Sequence, residues 1–230
     1  MPVSQRPKKP EHTGKITLID VASLRDAAEA FPAGEERVQI DFGAFSDRLV
    51  QARRSWQQDG WVEAERTVAV ASLDLKSEGQ QRFADALKRH FIVDASYYRD
   101  NFVSTPPGRH PSEFFDKDRG IRPFISLAPR LAYTIGRLSF FPEPQVLVVS
   151  HAFELFYPLL DLANRQAKVA LSYFASLLDH RWKLAGLFES DFPIRFLDLD
   201  PHVSELIGGI DLTKTREGQL SNRREGLGSL

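Results

Sequence analysis

The feature that most constrains the fold is a strand–helix–strand pattern in residues 145–174. An apolar run at residues 146–149 is followed by a turn, a helical pattern around Leu159, and a second apolar run that begins at Lys168. Runs without polar alternation are typical of parallel strands whose two faces are both covered. Parallel neighbours also need a crossover, which the intervening helix supplies. The stretch therefore predicts a βαβ unit of a parallel sheet.

Further apolar runs of strand length lie near residues 38, 67, 92 and 194, with helical patterns between them. Strands that alternate with helices predict a doubly wound, mostly parallel α/β sheet with helices on both faces. Four runs are expected side by side in this sheet: residues 38–42, 67–73, 146–150 and 168–174. Ligands of such sheets bind beyond the carboxyl ends of the strands, which directs attention to the loop after residue 149.

The chain has 230 residues, which suits one large α/β domain with tails. Residues 1–14 are rich in proline and basic residues and are predicted to be a disordered arm. Residues 15–37 are interpreted as an N-terminal addition of uncertain pairing, and residues 38–207 as the domain. Residues 208–230 are rich in glycine and arginine and are predicted to be a disordered tail.

Composition excludes some chemistry and leaves other chemistry open. Thirty Lys and Arg nearly balance 31 Asp and Glu, so no global field draws the protein to nucleic acid, although a local patch could. The absence of cysteine excludes disulfides, thiolate metal sites and thiol nucleophiles. No apolar signal-peptide core and no run of about 18 apolar residues is present, which predicts no membrane association and a cytoplasmic protein.

Two carboxylates follow predicted strands. Asp41 ends the run near residue 38, and Glu154 lies in the loop after residue 149. Either could act in catalysis, but Asp41 could equally cap a helix, and Glu154 could occupy the first turn of one. His151 could shuttle protons or simply bond to backbone. No Gly-rich phosphate loop, nucleophile elbow or zinc-ligand spacing accompanies them.

A proline-broken segment around residues 101–119 carries basic and aromatic residues. Cations and stacking rings together are what single-stranded nucleic acid requires. The predicted nucleic-acid contacts are Arg99, Arg109, Lys117 and Arg119. Acidic residues are interspersed among them, so a solvated loop is the alternative interpretation.

Three local patterns resemble the NYN domain family, a branch of the PIN-like metal-dependent ribonucleases, over residues 38–199. The family's Ile-Asp-x-x-Asn is matched by Ile40-Asp41-Phe42-Gly43-Ala44, and its Lys-Gly-Val-Asp by Arg119-Gly120-Ile121-Arg122. The third pattern is a strand, Ser-Gly-Asp-Ser-Asp-Phe, a Pro-Leu pair and a second strand. It corresponds to residues 146–156, Pro158-Leu159 and residues 168–173.

The resemblance implies a PIN-like fold and clustered carboxylates that hold Mg²⁺ or Mn²⁺ and activate water. This chain departs from the pattern at several positions. Ala44 replaces the asparagine, Arg122 replaces a carboxylate, and Ala128 or Pro129 falls where another aspartate often follows. The two aspartates of the third pattern become Ala152 and Glu154 in one register, and Phe153 and Leu155 in the other.

The resemblance thus leaves Asp41 and Glu154 as catalytic and metal-binding candidates, with Arg122 as a cation that would pair with Asp41 in place of a metal. The first hypothesis is a degenerate nuclease centre without cofactor, retained as an RNA-binding or regulatory module. The second is an active Mg²⁺- or Mn²⁺-dependent ribonuclease completed by a further carboxylate such as Asp191. The third is a protein-interaction scaffold without nucleic acid.

Overall fold

The centre of the protein is a parallel β-sheet. The computed structural model describes residues 13–30, 39–73, 78–97, 127–178, 180–184, 192–206 and 228–229. The strands within these residues are β1 (Lys15–Asp20), β2 (Gln39–Ile40), β3 (Arg66–Leu73), β4 (Ile92–Tyr97), β5 (Gln145–Val149), β6 (Lys168–Tyr173), β7 (Ile194–Asp198) and β8 (Gly228–Ser229). Six of them form one sheet in the order β4-β3-β1-β5-β6-β7, and every neighbouring pair is parallel.

Helices connect the strands and cover both faces of the sheet. The α-helices are α1 (Val21–Ala30), α2 (Phe42–Ser55), α3 (Glu78–Lys88), α4 (Ala128–Leu138), α5 (Phe156–Asn164), α6 (His180–Leu184) and α7 (Val203–Leu206). From β1 the chain winds outward through β3 to β4, returns to β5 on the other side of β1, and continues to β7. This arrangement confirms the predicted doubly wound α/β class.

Two separate apolar clusters lie on the two faces because successive strand residues point to opposite sides. Ile19, Ala69 and Leu147 pack with α1, α2 and α3. Leu18 and Val148 pack with α4, α5 and α6 on the other face. Each leucine buried in these clusters contributes about 1.5–3 kcal/mol relative to exposure. The two covered faces explain why the strands lack polar alternation.

The central strand is β1, which sequence analysis had set apart as part of an N-terminal addition. It pairs with β3 on one side and β5 on the other, with Ile16 opposite Arg66 and Val146. Its placement corrects that interpretation. Strands β3 and β4 are added on one side of Lys15–Asp20, and β5, β6 and β7 on the other, so the strand order changes direction at β1. The carboxylate at its end, Asp20, is consequently at the middle of the sheet's carboxyl edge.

The strand predicted at residues 38–42 is wrong as a member of the parallel sheet. Of the described residues in that run, Gln39–Ile40 forms β2, which pairs in antiparallel fashion with Gly228–Ser229. The other three predicted runs do lie in the sheet, as β3, β5 and β6. The short β8 also falls within the segment predicted to be a disordered tail.

Arg53 holds α2 against β1. The residue is 2% exposed. Its guanidinium donates to the carbonyls of Val62 (2.9 Å) and Ile16 (3.0 Å) and lies 5.1 Å from the centroid of the Trp61 ring. Burial lowers the pKa of Arg53 to about 10. These contacts join the first crossover to the central strand.

Candidate functional site

The site begins where β1 and β5 end next to each other. Asp20 is the last residue of β1 and is 4% exposed, and Ser150 directly follows β5 and is fully buried. Ser23 lies in the first turn of α1, three positions after Asp20, which brings it back over the strand end. Because parallel strands end at one edge of a sheet, residues far apart in sequence meet here.

One carboxylate oxygen of Asp20 accepts hydrogen bonds from two serine hydroxyl groups. Asp20 Oδ2 accepts from Ser150 Oγ at 2.8 Å and from Ser23 Oγ at 2.9 Å. Asp20 Oδ1 accepts from the backbone N–H of Ala22 at 3.1 Å. Both oxygens of the buried carboxylate are therefore occupied by hydrogen-bond donors from the chain itself.

The two serine oxygens in turn accept backbone N–H groups of the loop after β5. His151 N donates to Ser23 Oγ at 2.9 Å, and Ala152 N donates to Ser150 Oγ at 3.1 Å. A serine hydroxyl has a single proton, so these contacts direct both protons towards Asp20. Burial raises the pKa of Asp20, while the Ser150, Ser23 and backbone donors act against that rise. The hydrogen-bond pattern fits the ionised carboxylate.

His151 joins the loop after β5 to the loop after β6. Its Nε2 accepts the backbone N–H of Phe174 at 3.1 Å, and its carbonyl accepts the indole N–H of Trp182 at 3.0 Å. Burial lowers the pKa of His151 to about 4, although Asp200 acts to raise it. His151 is thus neutral near pH 7 and bonded to backbone, as one of its two sequence interpretations expected.

The loop after β6 is held by side chains from both neighbouring loops. Next to Phe174, Ala175 N donates to Asp198 Oδ1 at 3.2 Å. Ser176 donates its N–H and its hydroxyl to Asp200, at 2.8 and 3.1 Å. Three consecutive backbone N–H groups are therefore satisfied by His151, Asp198 and Asp200. These polar side chains at the carboxyl edge hold the loops in place.

The donor set does not fit a divalent metal. Mg²⁺ takes several oxygen ligands, usually including more than one carboxylate in a protein-built site. Asp20 is surrounded by hydroxyl and N–H donors, and no group of three or more His, Asp or Glu suited to a metal occurs within the described residues. This edge of the sheet offers a closed hydrogen-bond network.

Asp41 is a helix cap. It precedes α2, and its Oδ1 accepts the backbone N–H of Ala44 at 2.9 Å while its own N–H donates to the Leu206 carbonyl at 2.8 Å. Since β2 lies outside the parallel sheet, Asp41 does not end one of that sheet's strands, contrary to the prediction. Of the two sequence interpretations, the cap is the one that its contacts fit.

Glu154 lies in a 3-10 turn after β5, with an exposed side chain. Its Oε1 is 3.6 Å from Nη2 of Arg181. Its carboxylate is thus paired with a cation at the surface.

The remaining predicted site residues lie outside the described residues. These are Arg122, the proposed cation partner of Asp41; Asp191; and the nucleic-acid contacts Arg99, Arg109, Lys117 and Arg119. Their roles stay predictions.

Sequence reasoning missed Asp20 and Ser23. The signal was present, because the apolar residues Ile16, Leu18 and Ile19 lead directly into an aspartate followed by a helical pattern. No neighbouring βαβ pattern accompanies this run, so its composition does not determine its place in the sheet. Pro129 lies in the first turn of α4, where its missing N–H costs nothing.

Comparison with known proteins supports the fold and gives no activity. No protein-family model and no curated protein matches the chain. A crystal structure of a protein of unknown function from Vibrio parahaemolyticus is similar, with a TM-score of 0.51 and 15% sequence identity. The match covers 86% of this chain and 99% of that one. At that identity the similarity concerns the fold alone.

Among the described helices, none combines the length and apolar character that crossing a bilayer requires.

Proposed function

We propose that this chain is an NYN/PIN-like protein whose nuclease centre is degenerate and which serves as an RNA-binding or regulatory module in the cytoplasm. The observation that carries the proposal is that both carboxylate oxygens of Asp20 already accept hydrogen bonds from the chain itself. The carboxylate at the middle of the carboxyl edge receives two serine hydroxyls and an N–H group. A nuclease of this class would need metal-binding carboxylates at that position.

The position of Asp20 adds support from the family's first pattern. Ile19-Asp20-Val21-Ala22-Ser23 follows Ile-Asp-x-x-Asn with serine in the final place. Unlike Asp41, Asp20 ends a strand of the parallel sheet, next to Ser150, the serine that follows the strand of the third pattern. The degenerate set thus retains one carboxylate, to which Ser23, in the place of the asparagine, and Ser150 both donate hydroxyl groups.

RNA is the proposed partner because of the basic and aromatic segment that contains Arg99, Arg109, Lys117 and Arg119. Lysine and arginine contacts to phosphate release counterions, so affinity should decrease steeply with salt. The proposal involves no cofactor. The alternative hypothesis, an active ribonuclease that uses Mg²⁺ or Mn²⁺, needs metal ligands in addition to Asp20, such as Asp41, Glu154 and Asp191.

The test combines calorimetric titration of the purified protein with Mg²⁺ and Mn²⁺, a cleavage assay on single-stranded RNA, and an RNA-binding titration at several salt concentrations. The proposal expects salt-dependent binding without metal uptake at this site and without cleavage. Metal-dependent cleavage that is lost in Asp20→Asn but kept in Asp161→Asn would contradict it. Asp161 is a suitable control because it is exposed and its carboxylate pairs with Arg165, four residues further along the chain.

Absence of RNA binding by the wild-type protein would instead favour the protein-interaction scaffold. Charge reversal at Arg109 and Lys117 tests whether RNA binds to this basic segment or nonspecifically to other parts of the protein surface. Both reversals should weaken binding to all sequences alike, because phosphate contacts carry no sequence information.

A further inference from the structure

Beside the candidate site, three phenylalanine rings form a nearly parallel row. Phe153 stacks on Phe156 with centroids 5.5 Å apart and planes inclined by 6°. Phe156 stacks in turn on Phe192 at 6.3 Å and 21°. Trp182, which is 1% exposed, contacts Phe153 and Phe156 edge to face and supports the row from the core. This aromatic row is thus a rigid element that begins in the loop after β5.

A cation and an exposed ring are attached to the row. The Arg181 guanidinium lies 4.8 Å from the centroid of the Phe153 ring. Tyr157 packs against Phe156 at 4.9 Å and 66°, yet 73% of it is exposed. The row therefore carries a half-exposed arginine side chain and an exposed aromatic ring, close to the carboxyl edge of the sheet.

Such a pairing suits a nucleotide. An aromatic face stacks on a base without regard to its identity, and a guanidinium contacts the phosphate. Because each side chain already packs against one ring of the row, less conformational entropy is lost when they bind than for side chains without such a contact. Glu154, 3.6 Å from Arg181, partly neutralises the cation and lowers its attraction for phosphate.

We propose that Tyr157 and Arg181 form a contact surface for single-stranded RNA, with a base stacked on Tyr157 and a phosphate bound by Arg181 in place of Glu154. This inference rests on the proposed function, because it specifies where RNA bound by the protein would lie. It adds a contact surface apart from the basic segment, and it assigns Glu154 the role of a competitor for the cation.

The test is a fluorescence-anisotropy titration of the full chain with a fluorescein-labelled oligouridylate of about twelve nucleotides. Tyr157→Ala should weaken binding roughly tenfold, the usual effect of removing one stacking ring. Tyr133→Ala is the matched control. Tyr133 is also an exposed helix tyrosine, at 67%, and Arg137 lies 5.8 Å from its ring centroid, but it is on α4 and is not one of the ring contacts that make up the row. It should bind like the wild type.

Two charge variants probe the role of the cation. Arg181→Gln should weaken binding and reduce the slope of log affinity against log salt by about one. Glu154→Gln should strengthen binding severalfold, because the phosphate no longer competes with a carboxylate. A loss of RNA affinity in Glu154→Gln would contradict the competitor role and overturn the proposal.

The outcomes distinguish a failure of the proposed contact surface from a failure of the proposed RNA-binding function. If Tyr157→Ala binds as tightly as Tyr133→Ala while charge reversal at Arg109 and Lys117 weakens binding, the contact surface is wrong and the RNA-binding function stands. If the wild-type protein does not bind the oligouridylate or an oligoadenylate of the same length, both are overturned. Circular dichroism of each variant confirms that the exposed substitutions leave the fold intact.

Discussion

Ser150 Oγ lies 2.8 Å from Asp20 Oδ2, although the two residues are 130 positions apart in the chain. The contact joins the ends of β1 and β5. Ser23 completes the arrangement from the first turn of α1. This network makes the carboxyl edge a fixed structural element, and its energetic consequences can be measured.

Asp20→Asn should lower the free energy of unfolding by about 2 kcal/mol. The substitution keeps the shape but puts an amide NH₂ among groups that all donate, so at least one buried donor loses its acceptor. Urea denaturation at pH 7 measures the change, with Asp161→Asn expected within about 0.5 kcal/mol of wild type. A stabilised Asp20→Asn would show instead that native Asp20 carries a proton.

Asp41→Asn should leave stability nearly unchanged, whereas Asp41→Ala should cost about 1 kcal/mol. Asparagine caps a helix as well as aspartate does, and alanine offers the Ala44 N–H no acceptor. Thermal and urea unfolding of both variants provide the comparison. An equal loss in both would indicate that the charge of Asp41 matters, as an ion pair with Arg122 requires.

His151→Gln should remove part of the protein's acid sensitivity. The native pKa of about 4 lies below the unfolded value of 6.5, so the unfolded chain binds the proton more readily. The stabilising contribution is complete above pH 6.5 and is lost as the pH falls from 6.5 towards 4, to a total of about 3 kcal/mol.

Glutamine can accept the Phe174 N–H without titrating in this range. The difference in unfolding free energy between wild type and His151→Gln should therefore shift with pH in the variant's favour below pH 6.5. The raised pKa of Asp20 acts in the opposite sense, but it is common to both proteins and cancels in the difference. A difference independent of pH would show that His151 does not titrate as described.

Ser172→Ala should raise stability, by up to about 1 kcal/mol. The Ser172 hydroxyl is fully buried between Val149 and Leu197 on the neighbouring strands and has no hydrogen-bond partner among the described residues. Alanine removes an unsatisfied polar group at the cost of one small cavity. Chemical denaturation would refute this reasoning if the variant were destabilised by more than about 1 kcal/mol.

Two glycine substitutions should have opposite effects. Gly60 has φ +76° and closes the turn before β3, where an added Cβ would also meet the Lys168 ammonium, so Gly60→Ala should cost about 1–2 kcal/mol. Gly136 lies in α4 with nothing within 4 Å of the added atom, so Gly136→Ala should stabilise by about 0.5–1 kcal/mol. Melting temperatures that move in the same direction would contradict the argument.

Local composition was enough to predict the fold class, because a strand that is buried on both faces has a continuous apolar sequence. β3, β5 and β6 were predicted within a few residues, and the helices between them followed from their apolar spacing. The loop after β5 was also predicted to lie at the site, since ligand positions in parallel sheets follow from topology. His151 and Ser150 are there.

The sequence by itself determined a covered parallel α/β sheet, the strand–helix alternation and the loop that borders the site. Tertiary structure alone decided that β1 is central, that Asp41 caps a helix outside the sheet, and that Asp20 meets Ser23 and Ser150. Strand order depends on long-range pairing, and a short apolar run has the same composition at the centre of a sheet as at its margin. The hydrogen-bond partners of a carboxylate likewise depend on which strand ends are neighbours. Asp20 can accept the Ser150 hydroxyl only because β5 pairs with β1.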